Sequence, residues 1–232
     1  MRSAWQGLLA ACVLALAGCA QRDGTPAAAL DFTGPLPAIA AQYRTIVIRD
    51  GVEQSVEWRF WRDERHLVTE YPAQHTGSER QRDGSVVFHR QLFHEERRGI
   101  ETQLDDAPVA GRTSYWTQQA LLIDPRLLGA LHDRGTHKEG GHTLRHYEGG
   151  VYGVNWRVQL RADTLIPALI ERREAGTVER IELLALHPLS QAPWQPTPAG
   201  NYQFIDHIDL GDMEYDPFVQ KVQKHSAVAH TH

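Results

Sequence analysis

Alternating apolar and polar residues restrict the fold of this chain more than any other feature. The clearest run lies between residues 152 and 160, where polar residues or glycine separate the apolar residues Tyr152, Val154, Trp156, Val158 and Leu160. Because successive side chains of a strand point to opposite faces, this run predicts a strand with one buried and one solvated face. Several such strands must curl or close their sheet to cover the apolar face.

Turn signals separate further strands of this kind. Asp50-Gly51 predicts a two-residue hairpin, since both turn positions of such a hairpin favour positive φ. Other turns are predicted at 82–84, 95–96 and 175–176. We therefore predict a mainly β fold with short helices (α+β), in which about ten strands form a curved antiparallel sheet or a half-open β-barrel.

A helical insert is predicted over residues 113–132, where apolar residues recur at near-helical spacing. Asp124-Pro125 predicts the start of the second of two short helices, with Asp as the N-cap and Pro at the first position. Asp216-Pro217 predicts a terminal helix in the same way, extending through about residue 224. A short docking helix is expected at 35–40.

Glycine and proline set further expectations for the second half of the chain. The glycines at 135 and 140–141 predict a loop. Pro167, inside a predicted strand over 165–174, indicates an edge or a bulge. Four prolines make 188–200 an extended linker, and 202–210 is predicted as the last strand.

The N-terminus carries a targeting pattern. Arg2 precedes an apolar run over 8–17, which is too short to span a bilayer and ends in small residues, as in a secretory signal. The sequence LAGC at Leu16–Cys19 resembles the lipobox of bacterial lipoproteins. That resemblance implies cleavage before Cys19, lipidation of its sulfur and, because Ala20 is not aspartate, anchoring at the periplasmic face of the outer membrane. The alternative is an ordinary signal peptide with a chance cysteine.

The expected organisation follows from these patterns. It is a signal peptide over 1–18, a lipidated N-terminus and tether over 19–37, one antiparallel β-rich domain over 38–224 and a histidine-containing tail over 225–232. Cys12 and Cys19 are the only cysteines, so the domain has none for a disulfide, a thiolate metal site or a catalytic thiol. The formal net charge of −5 argues against nucleic acid as a partner.

The order of elements also resembles a known superfamily. An aromatic strand over 156–160 is followed by the sequence LIPAL at Leu165–Leu169, by a turn at 175–176 and by the apolar strand around Ile181–Leu183. Together with the meander and the helical insert, this pattern over residues 40–187 is similar to the LolA/LolB-like lipoprotein carriers. The resemblance implies a half-open barrel around an apolar cavity closed by helices, with a lipid or lipoprotein as its ligand.

Three sets of residues are candidates for a site. Aromatic residues could line a cavity for an acyl chain or form ordinary core: Trp58, Phe60, Trp116 and Trp156. An acidic run could hold an ion such as Ca²⁺, bind a partner or cap helices: Asp206, Asp209, Asp212, Glu214 and Asp216. Tail histidines could bind Zn²⁺ or Cu²⁺ or be solvated: His225, His230 and His232. His142 and His146, four apart on a predicted strand, should lie about 13 Å apart and face solvent.

Sequence motifs of common enzyme classes do not occur in the chain: there is no nucleophile elbow, zinc-protease signature, phosphate loop or dinucleotide fingerprint. We therefore predict a non-enzymatic lipoprotein, without a cofactor, that binds a lipid or acyl chain in an apolar cavity. Two alternatives stay open. One is a scaffold or assembly lipoprotein that holds a protein partner; the other is a periplasmic metal-binding protein that uses the histidine tail and the 206–216 segment.

Overall fold

The computed structural model describes residues 30–32, 34–110 and 112–222. Cys19 and the tail histidines lie outside this range. The described residues form one twelve-stranded sheet and few, short helices. The strands are β1 (Ile39–Arg49), β2 (Val52–Arg62), β3 (His66–Tyr71), β4 (Thr76–Asp83), β5 (Val86–Phe93), β6 (Arg98–Asp105), β7 (His132–Glu139), β8 (His142–Val151), β9 (Val154–Arg161), β10 (Pro167–Glu174), β11 (Thr177–Pro188) and β12 (Gln203–Asp206).

Two antiparallel meanders make up this sheet. β1 to β6 follow one another in space, β7 to β11 do the same, and the long strands β1 and β11 join the two meanders. β12 pairs in parallel with β6 and forms one edge, while β7 forms the other. The sheet is curved and unclosed, which confirms the predicted fold class of a mainly β, half-open structure.

Two helices cross one face of the sheet, which we call the inner face. α1 (Tyr115–Leu121) is capped by Ser114, and α2 (Pro125–Ala130) is capped by Asp124, whose carboxylate accepts a hydrogen bond from the Arg126 N–H at 2.9 Å. The buried Asp106 carboxylate also accepts hydrogen bonds from the first backbone N–H groups of α1. Local capping chemistry made the start of α2 predictable, whereas α1 was predicted from the spacing of its apolar residues.

Two apolar clusters lie between these helices and the sheet. Trp116 and Ala120 of α1 pack on β1, β2 and β3, against residues that include Tyr43, Phe60 and Leu67. The second cluster joins the end of α1 and α2 to β8, β9 and β10 through Leu121, Leu128, Tyr147, Val158 and Leu160. The helices therefore cover only part of the inner face.

The buried side chain of Arg62, on β2, links α1 to the sheet by hydrogen bonds. Its side chain is 1% exposed, and its guanidinium donates to the carbonyl oxygens of Pro37 at 3.2 Å, Ala120 at 2.7 Å and Thr164 at 2.7 Å. Burial lowers the pKa of Arg62 to about 10. One buried cation thus ties the segment before β1, the last turn of α1 and the β9–β10 loop together.

The outer face of the sheet is mostly polar. Charged side chains form ladders across neighbouring strands, for example Glu171, which accepts hydrogen bonds from Arg173 at 3.0 Å and Arg180 at 2.9 Å. A smaller apolar cluster of Ala40, Trp61 and Val68 is covered by the 188–200 segment, mainly through Trp194. The 188–200 segment therefore packs on the sheet and is not an isolated linker.

Several sequence-based expectations were wrong. β4 was not foreseen, and the glycine-marked loop at 135–141 is instead β7, with a bulge between Asp133 and Thr136, followed by a tight turn. Both strands are polar in sequence and gain their structure from pairing with neighbours. The expected docking helix at 35–40 does not form, since residues 35–38 belong to no helix or strand and β1 begins at Ile39.

Tyr152 is a further correction. It does not share the apolar face of β9 but occupies the hairpin turn before it, with φ of 53° for Tyr152 and 83° for Gly153. Its side chain is fully exposed, while Val158 and Leu160 are fully buried. Pro167 marks a bulge, as expected, but in an interior strand and not at an edge.

Candidate functional site

An apolar groove opens on the inner face where the α1–α2 turn meets the sheet. Two adjoining cavities of about 330 Å³ each make up this groove. They share the turn residues Leu122 and Ile123 and the strand residues Ile170 and Ile181. We call this set and its neighbours the apolar groove; its other apolar walls are Tyr43, Trp58, Leu127, Trp156 and Pro167.

The shortness of the helices creates the groove. α1 ends at Leu122, which adopts a left-handed conformation with φ of 57°, and the chain turns at once into α2. Seven and six helical residues cannot cover a sheet whose central strands are eleven and twelve residues long. Ile181 and Trp156 therefore lie only half-buried on the uncovered part of the inner face.

One end of the groove is held rigid by two stacked aromatic rings. The rings of Tyr43 and Trp58 lie 4.6 Å apart and 17° from parallel. The Tyr43 hydroxyl donates to the Pro167 carbonyl at 2.9 Å, and Trp58 Nε1 donates to Thr45 Oγ1 at 3.0 Å. Burial raises the pKa of Tyr43, so its hydroxyl stays neutral. Both polar atoms are satisfied within the protein, and this wall presents apolar ring surface to the groove.

Charged groups lie at the open end. Arg172 Nε donates to Glu179 Oε2 at 2.5 Å, and both residues line the groove together with Asp124. The Arg172 side chain is nearly half exposed, so this ion pair borders solvent. The groove therefore has apolar walls and a polar rim, the usual arrangement of a site for an apolar ligand.

A second, larger cavity of about 710 Å³ lies on the inner face beside β3, β4 and β5. Its lining mixes aromatic and polar side chains, among them Tyr71, Ser78, His89 and Gln91. Burial and the nearby Arg80 lower the pKa of His89 to about 4, so the imidazole is neutral at ordinary pH. This mixed lining is less selective for an acyl chain than the apolar groove, and the cavity lies apart from that groove.

The four aromatic candidates fall into two pairs. Trp58 and Trp156 line the apolar groove. Phe60 and Trp116 are 1% and 6% exposed and belong to the core beneath α1. Sequence reasoning missed Leu122, Ile123 and Ile181 as groove residues. The apolar residues just before the Asp124-Pro125 helix start and the alternation around Ile181 in β11 were the available signals.

The acidic run has structural partners at two positions. Asp216 pairs with the Arg98 guanidinium through two hydrogen bonds of 2.9 Å and caps the helix over 217–222 by accepting from the Phe218 N–H at 2.8 Å. Asp206 caps the short 3-10 helix that follows β12. In the described part of the chain, no group of three or more His, Cys, Asp or Glu side chains converges as a metal site. An ion or partner role for Asp209, Asp212 and Glu214, which are exposed, stays a prediction.

No helix within the described residues is long and apolar enough to cross a bilayer.

Among known proteins, the chain has partial structural overlaps and no match in sequence. No family model matches the chain, and no curated protein matches its sequence significantly. The structure of PNGF-II overlaps with 78% of the chain at 9% identity and a TM-score of 0.46, and the chain spans about a third (34%) of that structure. The overlap with MucB covers 69% of this chain and 55% of the MucB chain, at 14% identity and a TM-score of 0.35. A third overlap is with a putative outer membrane lipoprotein-sorting protein domain from Vibrio parahaemolyticus. It covers 71% of this chain and 89% of that domain, at 10% identity and a TM-score of 0.33. These overlaps are too weak to assign a function, and we base none on them.

Proposed function

We propose that this protein is an outer-membrane lipoprotein, anchored through Cys19 and facing the periplasm, that holds an acyl chain in the apolar groove without catalysing a reaction. The observation that carries the proposal is the uncovered apolar strip beneath the α1–α2 turn. Its walls come from aromatic and aliphatic side chains, and its charged residues stand at the rim.

The hydrophobic effect supplies the binding energy in this proposal. Each methylene of an acyl chain that leaves water for such a wall contributes about 0.8 kcal/mol. Some of the groove walls are partly exposed without a ligand, namely Leu122, Leu127, Trp156 and Ile181, so a bound chain also removes protein apolar surface from water. Two cavities of about 330 Å³ each reach the size range of small-molecule sites.

The position of the tether supports the same proposal. Leu30, Phe32 and Leu36 pack against the apolar cluster that contains Ile123 and Leu128. The tether thus meets the domain next to the groove. The residues between this contact and Cys19, over 19–29, can extend by at most about 40 Å. A membrane-anchored groove within this reach is close to a supply of acyl chains.

Binding of a fluorescent fatty acid, cis-parinaric acid, to the mature protein tests the proposal. Ile181→Glu places a carboxylate on the wall shared by both cavities and should weaken binding at least about tenfold, because an unpaired charge must be desolvated there. Val178→Glu is the matched control, since Val178 lies on the same strand but on the opposite face and should leave binding unchanged.

Two outcomes would contradict the proposal. Absence of binding by the unmodified protein would favour the scaffold alternative, in which a protein partner is held and no ligand enters the groove. Equal binding by the Ile181→Glu variant would place the bound chain elsewhere. Mass spectrometry of lipid extracted from the purified protein provides an independent measurement, with acyl species above control expected.

A further inference from the structure

Two histidines meet on the outer face of the β7–β8 hairpin. His146 Nε2 lies 2.6 Å from His137 Nδ1, and the two rings are 4.3 Å apart. The other ring nitrogen of His137, Nε2, lies 3.1 Å from Glu139 Oε2. His142 and His146 do not contact each other, so the pair arises from the hairpin register and not from spacing along one strand.

The hydrogen bonds fix the protonation of this pair. Glu139 is an acceptor, so His137 donates its Nε2 proton to the carboxylate and keeps a lone pair on Nδ1. His146 must then donate its own Nε2 proton to His137. Desolvation and the neighbouring His137 lower the pKa of His146, with Arg157 acting in the same direction and Glu139 and Glu148 opposing it.

We propose that His137 and His146 bind a divalent transition metal ion such as Zn²⁺, with His137 Nδ1 and His146 Nε2 as ligands. The metal replaces the shared proton, which moves to Nδ1 of His146 as that ring changes tautomer, so no proton is released overall. Glu139 holds His137 in the ligating tautomer, as carboxylates do for metal-bound histidines. This second contact distinguishes the pair from two merely adjacent imidazoles.

The geometry needs only a small adjustment. Two nitrogens at about 2.0–2.1 Å from a tetrahedral Zn²⁺ are about 3.3 Å apart, so the rings must separate by about 0.7 Å. The His137 side chain is 40% exposed, which leaves room for that movement. The site has two protein ligands, and water fills the remaining positions. It lies on the outer face, whereas the apolar groove lies on the inner face, so it is independent of the proposed acyl-chain binding.

Zn²⁺ titration of the mature protein, followed by ¹⁵N NMR of the histidine rings, tests this inference. The rings of His137 and His146 should shift together and saturate. His146→Asn should lower the Zn²⁺ affinity measured at His137 at least tenfold. His142→Asn, on the same strand, is the matched control and should leave the affinity unchanged. Glu139→Gln should weaken binding without abolishing it.

The result that would overturn the inference is equally specific. A Zn²⁺ response confined to the histidines of the 225–232 tail, with unshifted rings at His137 and His146, would show that the hairpin pair binds no metal. An unchanged Zn²⁺ affinity at His137 in the His146→Asn variant would lead to the same conclusion. Thermal unfolding of each variant identifies any general loss of structure, and the Asn side chain keeps a polar group that can form hydrogen bonds at the position of the replaced histidine.

Discussion

Replacing Arg62 by methionine tests whether a buried cation fastens the helices over the sheet. Methionine is long and unbranched and fills most of the same volume, so the change removes the guanidinium without a large cavity. It leaves three backbone carbonyls without their donor: those of Pro37, Ala120 and Thr164. We expect the variant to fold and to be less stable than the unmodified protein.

The expected loss follows from two opposing contributions. Hydrogen bonds to a charged donor contribute about 1.5–3 kcal/mol each, so three contribute about 6 kcal/mol. Desolvation of the cation opposes them: lowering the pKa of Arg62 from 12.5 to about 10 corresponds to about 3 kcal/mol against the charged form. The difference predicts a loss of about 3 kcal/mol, or a decrease in melting temperature of about 6–12 °C.

Urea unfolding, with circular dichroism as the signal, measures this loss as a change in midpoint at constant slope. Arg157→Met is the control, because Arg157 is exposed on β9 and its replacement should change stability by less than about 0.5 kcal/mol. An Arg62→Met variant as stable as the control, or more stable, would refute the reasoning. It would show that the cost of burying the cation cancels the three hydrogen bonds.

Three further predictions concern an ion pair on the outer face and two glycines. His66 Nε2 lies 2.5 Å from Glu79 Oε1, which raises the pKa of His66 and lowers that of Glu79. The pair should therefore stabilise the fold most between about pH 4.5 and 6.5, and less as the pH rises through the raised pKa of His66. In unfolding measurements between pH 4 and 9, Glu79→Gln should flatten this dependence of stability on pH. A Cβ at Gly99 would lie 2.6 Å from the Phe204 ring, so Gly99→Ala should destabilise the β6–β12 pair in hydrogen exchange. Gly129 in α2 has open space, and Gly129→Ala should stabilise the protein by up to about 1 kcal/mol in the same urea assay.

Elements specified by local chemistry were predictable from the sequence. The turns at Asp50-Gly51 and Ala175-Gly176 adopt positive φ at both positions. Asp and Gly favour this conformation, whereas Ala175 adopts it although its Cβ disfavours it. The start of α2 at Asp124-Pro125 follows from capping. By contrast, β4 carries the sequence TGSERQRD, which has no apolar alternation, and it is a strand because β3 and β5 pair with it on both sides.

The apolar groove was only partly predictable, because its walls come from separate segments. Trp58 and Trp156 were identified as lining candidates from their residue type and strand position. Ile123 and Ile170 join them only after the helical insert crosses back over the sheet, a long-range contact that no local pattern specifies. The β7–β8 histidine pair has the same origin, since its partners lie on different strands and depend on the hairpin register.

Stability and groove structure are coupled through Arg62. Its guanidinium bonds to Pro37 at the end of the tether, to Ala120 in the last turn of α1 and to Thr164 in the loop before the groove residue Pro167. Loss of these bonds frees the α1 end that forms the roof of the groove. Fatty-acid binding should therefore weaken together with stability in Arg62→Met, whereas Ile181→Glu weakens binding by placing a charge in the wall. We expect weak binding in both variants and a large stability loss in Arg62→Met only. This result would show that Arg62 supports the groove through the fold, whereas Ile181 lines it directly. Unchanged binding in a destabilised Arg62→Met variant would show that the α1 end keeps its position without the buried cation.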